Sequence, residues 1–133
     1  QVNYDKSCYI ENKGNFNFTI HPLPKQAQIA PINKIIEASN PQNILLIGND
    51  YGNETFVGKY DAFIGLNLVF NPNNTSLFSS IDPLKIGFIV PNDAKDILKI
   101  KSAIDNTYIY VVSQNRNKIL VFKKNKPYTR DYD

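Results

Sequence analysis

Short apolar runs alternate with polar, turn-forming segments along this chain. The runs are rich in Ile, Val, Leu, Phe and Tyr, and the segments between them are rich in Asn, Gly, Pro, Asp and Ser. β-Branched and aromatic residues favour extended strands, whereas the intervening residues favour turns. The pattern therefore predicts β-strands at residues 7–10, 16–20, 32–38, 43–47, 65–70, 77–80, 85–90, 96–101, 107–113 and 118–122.

Residues 31–38 have a helical alternative. Ile32, Ile35 and Ile36 have the spacing of one helical face, and Pro31 suits a first helical turn. The β-branched side chains favour a strand instead. No segment has an apolar period that supports a helix longer than about three turns. An all-β fold is therefore predicted.

The order of the predicted strands repeats along the chain. Residues 32–36, 43–49 and 65–71 correspond to residues 94–98, 107–113 and 118–123, and a partial third copy starts at residue 8. Recurring four-stranded units are typical of propeller blades. We therefore predict antiparallel four-stranded blades of the β-propeller type in an incomplete ring. The blades are a partial one at residues 1–30, one at 31–84 with a long inserted loop at 49–63, and a last one at 85–133.

Two or three blades cannot close a ring, and each sheet of a repeat protein buries its faces against its neighbours. The first and last sheets are therefore expected to pack on another polypeptide. We expect this polypeptide to be the remainder of a longer parent chain, preceding Gln1, or another protein subunit.

The charges of the chain indicate no nucleic-acid partner. The net charge of +3 comes from 15 Lys and Arg against 12 Asp and Glu, which are spread along the sequence. The locally basic Lys118, Lys123, Lys124 and Lys126 flank a predicted strand, where lysines protect an open sheet edge. No apolar run is long enough to span a membrane.

Residues suited to catalysis or metal binding are scarce. His21 is the only histidine, Cys8 is the only cysteine, and no Gly-x-Ser-x-Gly motif accompanies them. One His and one Cys are too few for an ordinary zinc site, and the scattered glycines form no phosphate-binding loop. The chain is predicted to be no enzyme, with no catalytic residue, no metal and no cofactor.

The loop at residues 49–63 is the best candidate for a recognition surface. It combines Tyr51, Phe56 and Tyr60 with Glu54, Lys59 and Asp61, a mixture of aromatic and polar groups that is typical of binding sites. A structural role is the favoured alternative, in which Tyr60 packs on a blade and Asp61 accepts backbone hydrogen bonds. Asp50, Glu54 and Asp61 also provide the carboxylates that glycan hydrolysis requires.

From about Tyr9 to Phe122 the chain resembles the FG-GAP or VCBS-repeat proteins, particularly large secreted examples from Bacteroidetes near their C-terminal end. The residues that carry the resemblance are 9–15 with Phe18, 21–24 with 27–28 and 30–31, 44–49 with 51–52, and, most specifically, 58–62 with 65–66. The resemblance implies a β-propeller that is extracellular or on the cell surface, associated with the outer membrane. Family repeats often carry an Asp-rich Ca²⁺ loop, but residues 38–43 contain no carboxylate and residues 102–106 contain one, so no Ca²⁺ is expected.

The function that follows is a non-catalytic extracellular repeat module with a rigid β surface for binding a protein or a glycan. Two alternatives remain open. In one, the chain is part of a polysaccharide-degrading propeller enzyme; in the other, it is an accessory subunit of an outer-membrane uptake or secretion complex.

Overall fold

A computed structural model describes residues 2–53 and 56–123 of the chain. These residues form nine strands, all paired antiparallel, in three sheets. The hairpin comprises β1 (Cys8–Gly14) and β2 (Asn17–Pro22); the central sheet comprises β3 (Ile32–Glu37), β4 (Asn43–Gly48), β5 (Leu66–Phe70) and β6 (Phe78–Ile81); the C-terminal sheet comprises β7 (Ala94–Lys101), β8 (Tyr108–Gln114) and β9 (Leu120–Lys123).

The predicted all-β fold is confirmed for the described residues. Their helices are a 3-10 turn at Lys25–Gln28 and a single α-helical turn, α1, at Pro83–Ile86. The ambiguous segment 31–38 contains strand β3, as its β-branched residues indicate. The two predicted sets of three strands lie in separate, adjacent sheets. In the described part of the chain, no helix has the length and the apolar character needed to cross a membrane.

The strand predicted at residues 85–90 is wrong. Asp82 caps α1 by accepting a hydrogen bond from the Leu84 backbone N–H at 3.0 Å, and Pro83 occupies the first turn. Gly87, with φ of 70°, ends the helix in the left-handed conformation. The apolar alternation arises because Phe88 and Val90 are buried between the sheets without entering a ladder of strands.

The central sheet is buried on both faces because its successive side chains point in opposite directions. One face contributes Leu45 and Ile47 to a core shared with the C-terminal sheet. The other contributes Leu46, Leu66 and Leu68 to a core that includes residues from the hairpin and from the 3-10 turn. The three sheets therefore form successive layers, with the central sheet between the other two.

The central and C-terminal sheets share one pairing register. The β3–β4 ladder shifts between Ile32 and Lys34, and the β7–β8 ladder shifts between Ala94 and Asp96. Beyond this bulge, residue pairs correspond one to one: Ile35↔Leu46 with Ile97↔Val112, Ile36↔Leu45 with Leu98↔Val111, and Leu45↔Asn67 with Val111↔Val121. The sequence repeat is thus also a structural repeat of strand pairing.

Candidate functional site

The 49–63 loop joins β4 to β5 and is closed at its base by backbone pairing. Asp50 and Tyr60 exchange two N–H to C=O hydrogen bonds, each 2.9 Å long. The Asp50 carboxylate accepts a third bond, at 2.9 Å, from the Gly52 backbone N–H. This last hydrogen bond forms an Asx-type turn, at which the loop begins to leave the sheet.

Asn49 anchors the loop to the rest of the molecule. Its fully buried amide donates to the Phe63 carbonyl at 2.6 Å and accepts from the Phe63 backbone N–H at 3.0 Å. The same amide group lies 3.1 Å from the Asn92 carbonyl oxygen in the segment before β7. Asn49 therefore joins both ends of the loop to a neighbouring segment, and it satisfies buried backbone groups that would otherwise lack partners.

The packed aromatic residue of the loop is Phe63, which is 1% exposed. The expectation that Tyr60 packs and that Asp61 accepts backbone hydrogen bonds is wrong. The Tyr60 side chain is 46% exposed. Tyr60 holds the loop through its backbone hydrogen bonds to Asp50 instead. Asp61 is exposed, and its carboxylate accepts no hydrogen bond from any residue that the structure describes.

Two of the predicted surface residues are brought together. The Lys59 ammonium lies 4.8 Å from the centre of the Tyr51 ring, which places a cation over an aromatic face. Phe56 is 84% exposed. Glu54 lies outside the described residues. The loop thus presents Tyr51, Phe56, Lys59, Tyr60 and Asp61 at the surface, while Asn49 and Phe63 hold its base.

A buried carboxylate lies beneath the loop. Asp93 is fully buried and forms an ion pair with Lys95 at 2.5 Å, while the Asn115 amide donates to its other oxygen at 3.1 Å. Burial raises the pKa of Asp93, but the hydrogen bonds from Lys95 and Asn115, the Lys95 charge and the Tyr51 backbone N–H outweigh burial and lower it. Asp93 is therefore ionised at neutral pH and supports the start of the loop.

The titratable side chains of the described residues are dispersed over the molecule. Within them, no three His, Cys, Asp or Glu side chains converge on one point. His21 lies on the hairpin, where its Nε2 atom is 3.0 Å from a Glu11 oxygen, and the Tyr9 ring stacks beside it. This histidine belongs to a different layer from the loop.

Sequence reasoning missed Asn49, Phe63 and Asp93 as the residues that order the loop. The sequence did indicate Asn49, because asparagine tolerates the left-handed backbone better than most residues, and Asn49 follows Gly48 at a strand end.

Comparisons with protein-family models, with curated protein sequences and with solved structures give no match.

Proposed function

We propose that this chain is a non-catalytic repeat module of the β-propeller type. Its sheets stack face to face, and its 49–63 loop binds a protein or glycan partner outside the cell. The observation that carries the proposal is the state of the two outermost faces of the stack, which are both apolar and exposed. The FG-GAP or VCBS-repeat resemblance of the sequence supports the propeller type and the extracellular location.

The outer face of the C-terminal sheet carries exposed aliphatic side chains on β7 and β9. Leu98, Ile100 and Val121 are 56%, 48% and 63% exposed. In the shared register, Leu98 and Val111 correspond to Ile36 and Leu45 of the central sheet, on the face that packs against the C-terminal sheet. The exposed face is thus the counterpart of one that a neighbouring sheet covers.

The hairpin lies at the opposite end of the stack of sheets, and its outer face is also uncovered. Its Tyr9 ring packs edge-on against Phe70 and Phe78 of the central sheet, at centroid distances of 6.4 and 5.5 Å. On its other face, Ile10 and Ile20 pair directly and are 57% and 51% exposed. Contiguous exposed apolar surface marks interaction sites in soluble proteins. Both ends therefore favour further stacking.

The loop supplies the contact surface for a partner. Its base is fixed by the Asn49 hydrogen bonds and by Phe63, so that Tyr51, Lys59 and Tyr60 are presented without the full entropic cost of ordering a free loop. Tyrosine side chains are enriched at interfaces and often carry much of the binding energy. Lys59 adds a positive charge over the Tyr51 ring. This arrangement supports a loop that binds a partner and does not catalyse a reaction.

Sedimentation velocity tests the stacking part of the proposal. We expect the chain to associate in a concentration-dependent manner, and Leu98→Lys to suppress this association. Ile104→Lys is the matched control, because Ile104 is 98% exposed in the β7–β8 turn rather than on a sheet face. A monodisperse monomer at every concentration would contradict stacked sheets and favour a self-contained sandwich.

Binding to a glycan panel and to soluble proteins of the native source tests the partner surface. Replacing both Tyr51 and Lys59 by Ala is expected to abolish partner binding while the sedimentation of the chain stays unchanged. The non-catalytic function would be overturned if the chain turned over a polysaccharide and if Asp50→Ala or Asp61→Ala abolished this turnover without loss of folding.

A further inference from the structure

A cleft of about 540 Å³ opens between the central and C-terminal sheets, at the end of β4 opposite the 49–63 loop. Buried Leu45 and Phe88 form part of its apolar lining, and Phe122 contributes an aromatic ring that lies 4.9 Å from the Phe88 ring. The volume falls in the range of clefts that hold small molecules, and the mixture of apolar lining with a few polar groups is also typical of them.

A pair of amide side chains interrupts the apolar lining. The Asn43 Nδ2 group donates to the Asn67 Oδ1 atom at 3.2 Å, and Asn67 is only 8% exposed. In the shared register, the corresponding residues of the C-terminal sheet are Ile109 and Val121. Aliphatic side chains would serve sheet stacking better, because burying an amide is costly unless its hydrogen bonds are complete.

The hydrogen bonds of this amide pair are incomplete. The Nδ2 group of Asn67 donates to no acceptor among residues 2–53 and 56–123, although the side chain lines the cleft. The Nδ2 atom of Asn67 is not enclosed without a partner, so it is open to a molecule in the cleft that its side chain lines. A ligand that enters the cleft can accept a hydrogen bond from it.

The two ammonium groups near the cleft are already paired. Lys123 forms an ion pair with Asp105 at 2.6 Å, and Lys99 donates to the Ala38 carbonyl at 2.8 Å. Among the residues that the structure describes, the other polar groups lining the cleft are uncharged, such as the Ser39 and Tyr110 hydroxyls, which lie 2.8 Å apart. The cleft therefore offers neutral amides and hydroxyls beside apolar and aromatic surface.

We propose that this cleft is a binding site for a neutral saccharide. Such a ligand carries hydroxyl groups that both accept from and donate to amides, and the C–H face of a sugar ring is apolar enough to lie against Phe122. The site goes beyond the proposed function, because it lies at the other end of β4 and uses none of the loop residues.

Nitrogen-15 NMR of the full chain tests the site directly, since side-chain amide groups give their own signals. Cellobiose and lactose are the neutral probes, and N-acetylglycine methylamide is the peptide-like probe. We expect a disaccharide to shift the Asn43 and Asn67 amide signals in a saturable manner, with a dissociation constant of about 1 mM or below. Absence of saturable shifts at these amides, or a response to the peptide-like probe alone, would overturn the proposal.

The informative variant is Asn43→Ile with Asn67→Val, which installs the residues of the corresponding positions in the C-terminal sheet. Replacing both partners of a buried pair by apolar groups is close to neutral for stability, so the melting temperature should not fall. Saccharide binding should weaken at least about tenfold, the factor that one lost hydrogen bond corresponds to. Unchanged binding by this variant would refute the site.

Two controls separate this site from the loop and from general effects. Asn17→Val removes an exposed amide on β2 and should leave saccharide binding unchanged. Tyr51→Ala with Lys59→Ala should do the same, since these residues do not line the cleft. If the double Asn variant does not fold, the location of the shifts in the unmodified chain still decides, because shifts confined to the 49–63 loop would exclude the cleft.

Discussion

Asn49 performs two tasks at once in this molecule. With φ of 78°, it adopts the left-handed conformation directly after β4, and its amide occupies a fully buried position between the loop base and the segment before β7. Asparagine suits both tasks, because it tolerates the left-handed conformation and offers a donor and an acceptor in one small side chain. Asn49 therefore makes contacts at the loop base that the exposed Asp61 does not make.

We predict that Asn49→Ala lowers the free energy of unfolding by about 1–3 kcal/mol, the range for leaving buried backbone groups without partners. Urea unfolding followed by circular dichroism measures the change. Asp61→Ala is the control, since Asp61 is exposed and should change stability by less than about 0.5 kcal/mol. The opposite ranking of the two variants would show that Asp61 anchors the loop after all.

The buried Asp93 carboxylate makes stability depend on pH. Its pKa is lowered in the folded chain because the Lys95 and Asn115 hydrogen bonds and the Lys95 charge outweigh burial. Its stabilising contribution is therefore complete above the ordinary aspartate pKa of about 4 and is lost as the pH falls through the lower folded value. Asp93→Asn should cost about 1–3 kcal/mol at pH 7 and progressively less below pH 4. Unfolding measured from pH 3 to 7 tests this, and a difference that does not depend on pH would contradict it.

At the scale of the element, the 49–63 loop is held by one aromatic residue that the sequence did not distinguish from its neighbours. Phe63→Ala should destabilise the chain by about 3–5 kcal/mol, because the side chain is almost fully buried. Phe56→Ala removes the same side chain at an exposed position and should cost less than about 0.5 kcal/mol. Thermal unfolding compares the two variants. Similar losses would mean that the loop packs differently in solution.

Strand positions could be predicted because period-two alternation and turn residues are local signals. The residues that anchor the loop could not be predicted, because Tyr60 and Phe63 are both aromatic and lie three residues apart in the same loop. Only the three-dimensional course of the chain buries one of them. The strand prediction for residues 85–90 failed for a related reason. Phe88 and Val90 alternate as in a strand, but Pro83 favours the start of a short helix and Gly87 favours its end, and this short helix is what the backbone forms.

At the scale of the whole molecule, the shared register gives the stack a direction. The outer hairpin face and the outer face of the C-terminal sheet are different surfaces, so that contact between them is heterologous and continues from copy to copy. A contact between two identical faces would instead close a dimer. The two geometries can be distinguished by mixing two variants, of which one is altered on the outer hairpin face and the other on the outer face of the C-terminal sheet.

Leu98→Lys places a charge on the outer face of the C-terminal sheet, and Ile20→Glu places one on the outer hairpin face. Each variant alone should be monomeric, because each lacks one of the two complementary faces. In an equimolar mixture, the intact hairpin face of the first variant can pack on the intact sheet face of the second, so sedimentation should show dimers and nothing larger. Dimers of Ile20→Glu alone would mean that two C-terminal sheets pair with each other, and a head-to-tail stack would then be refuted.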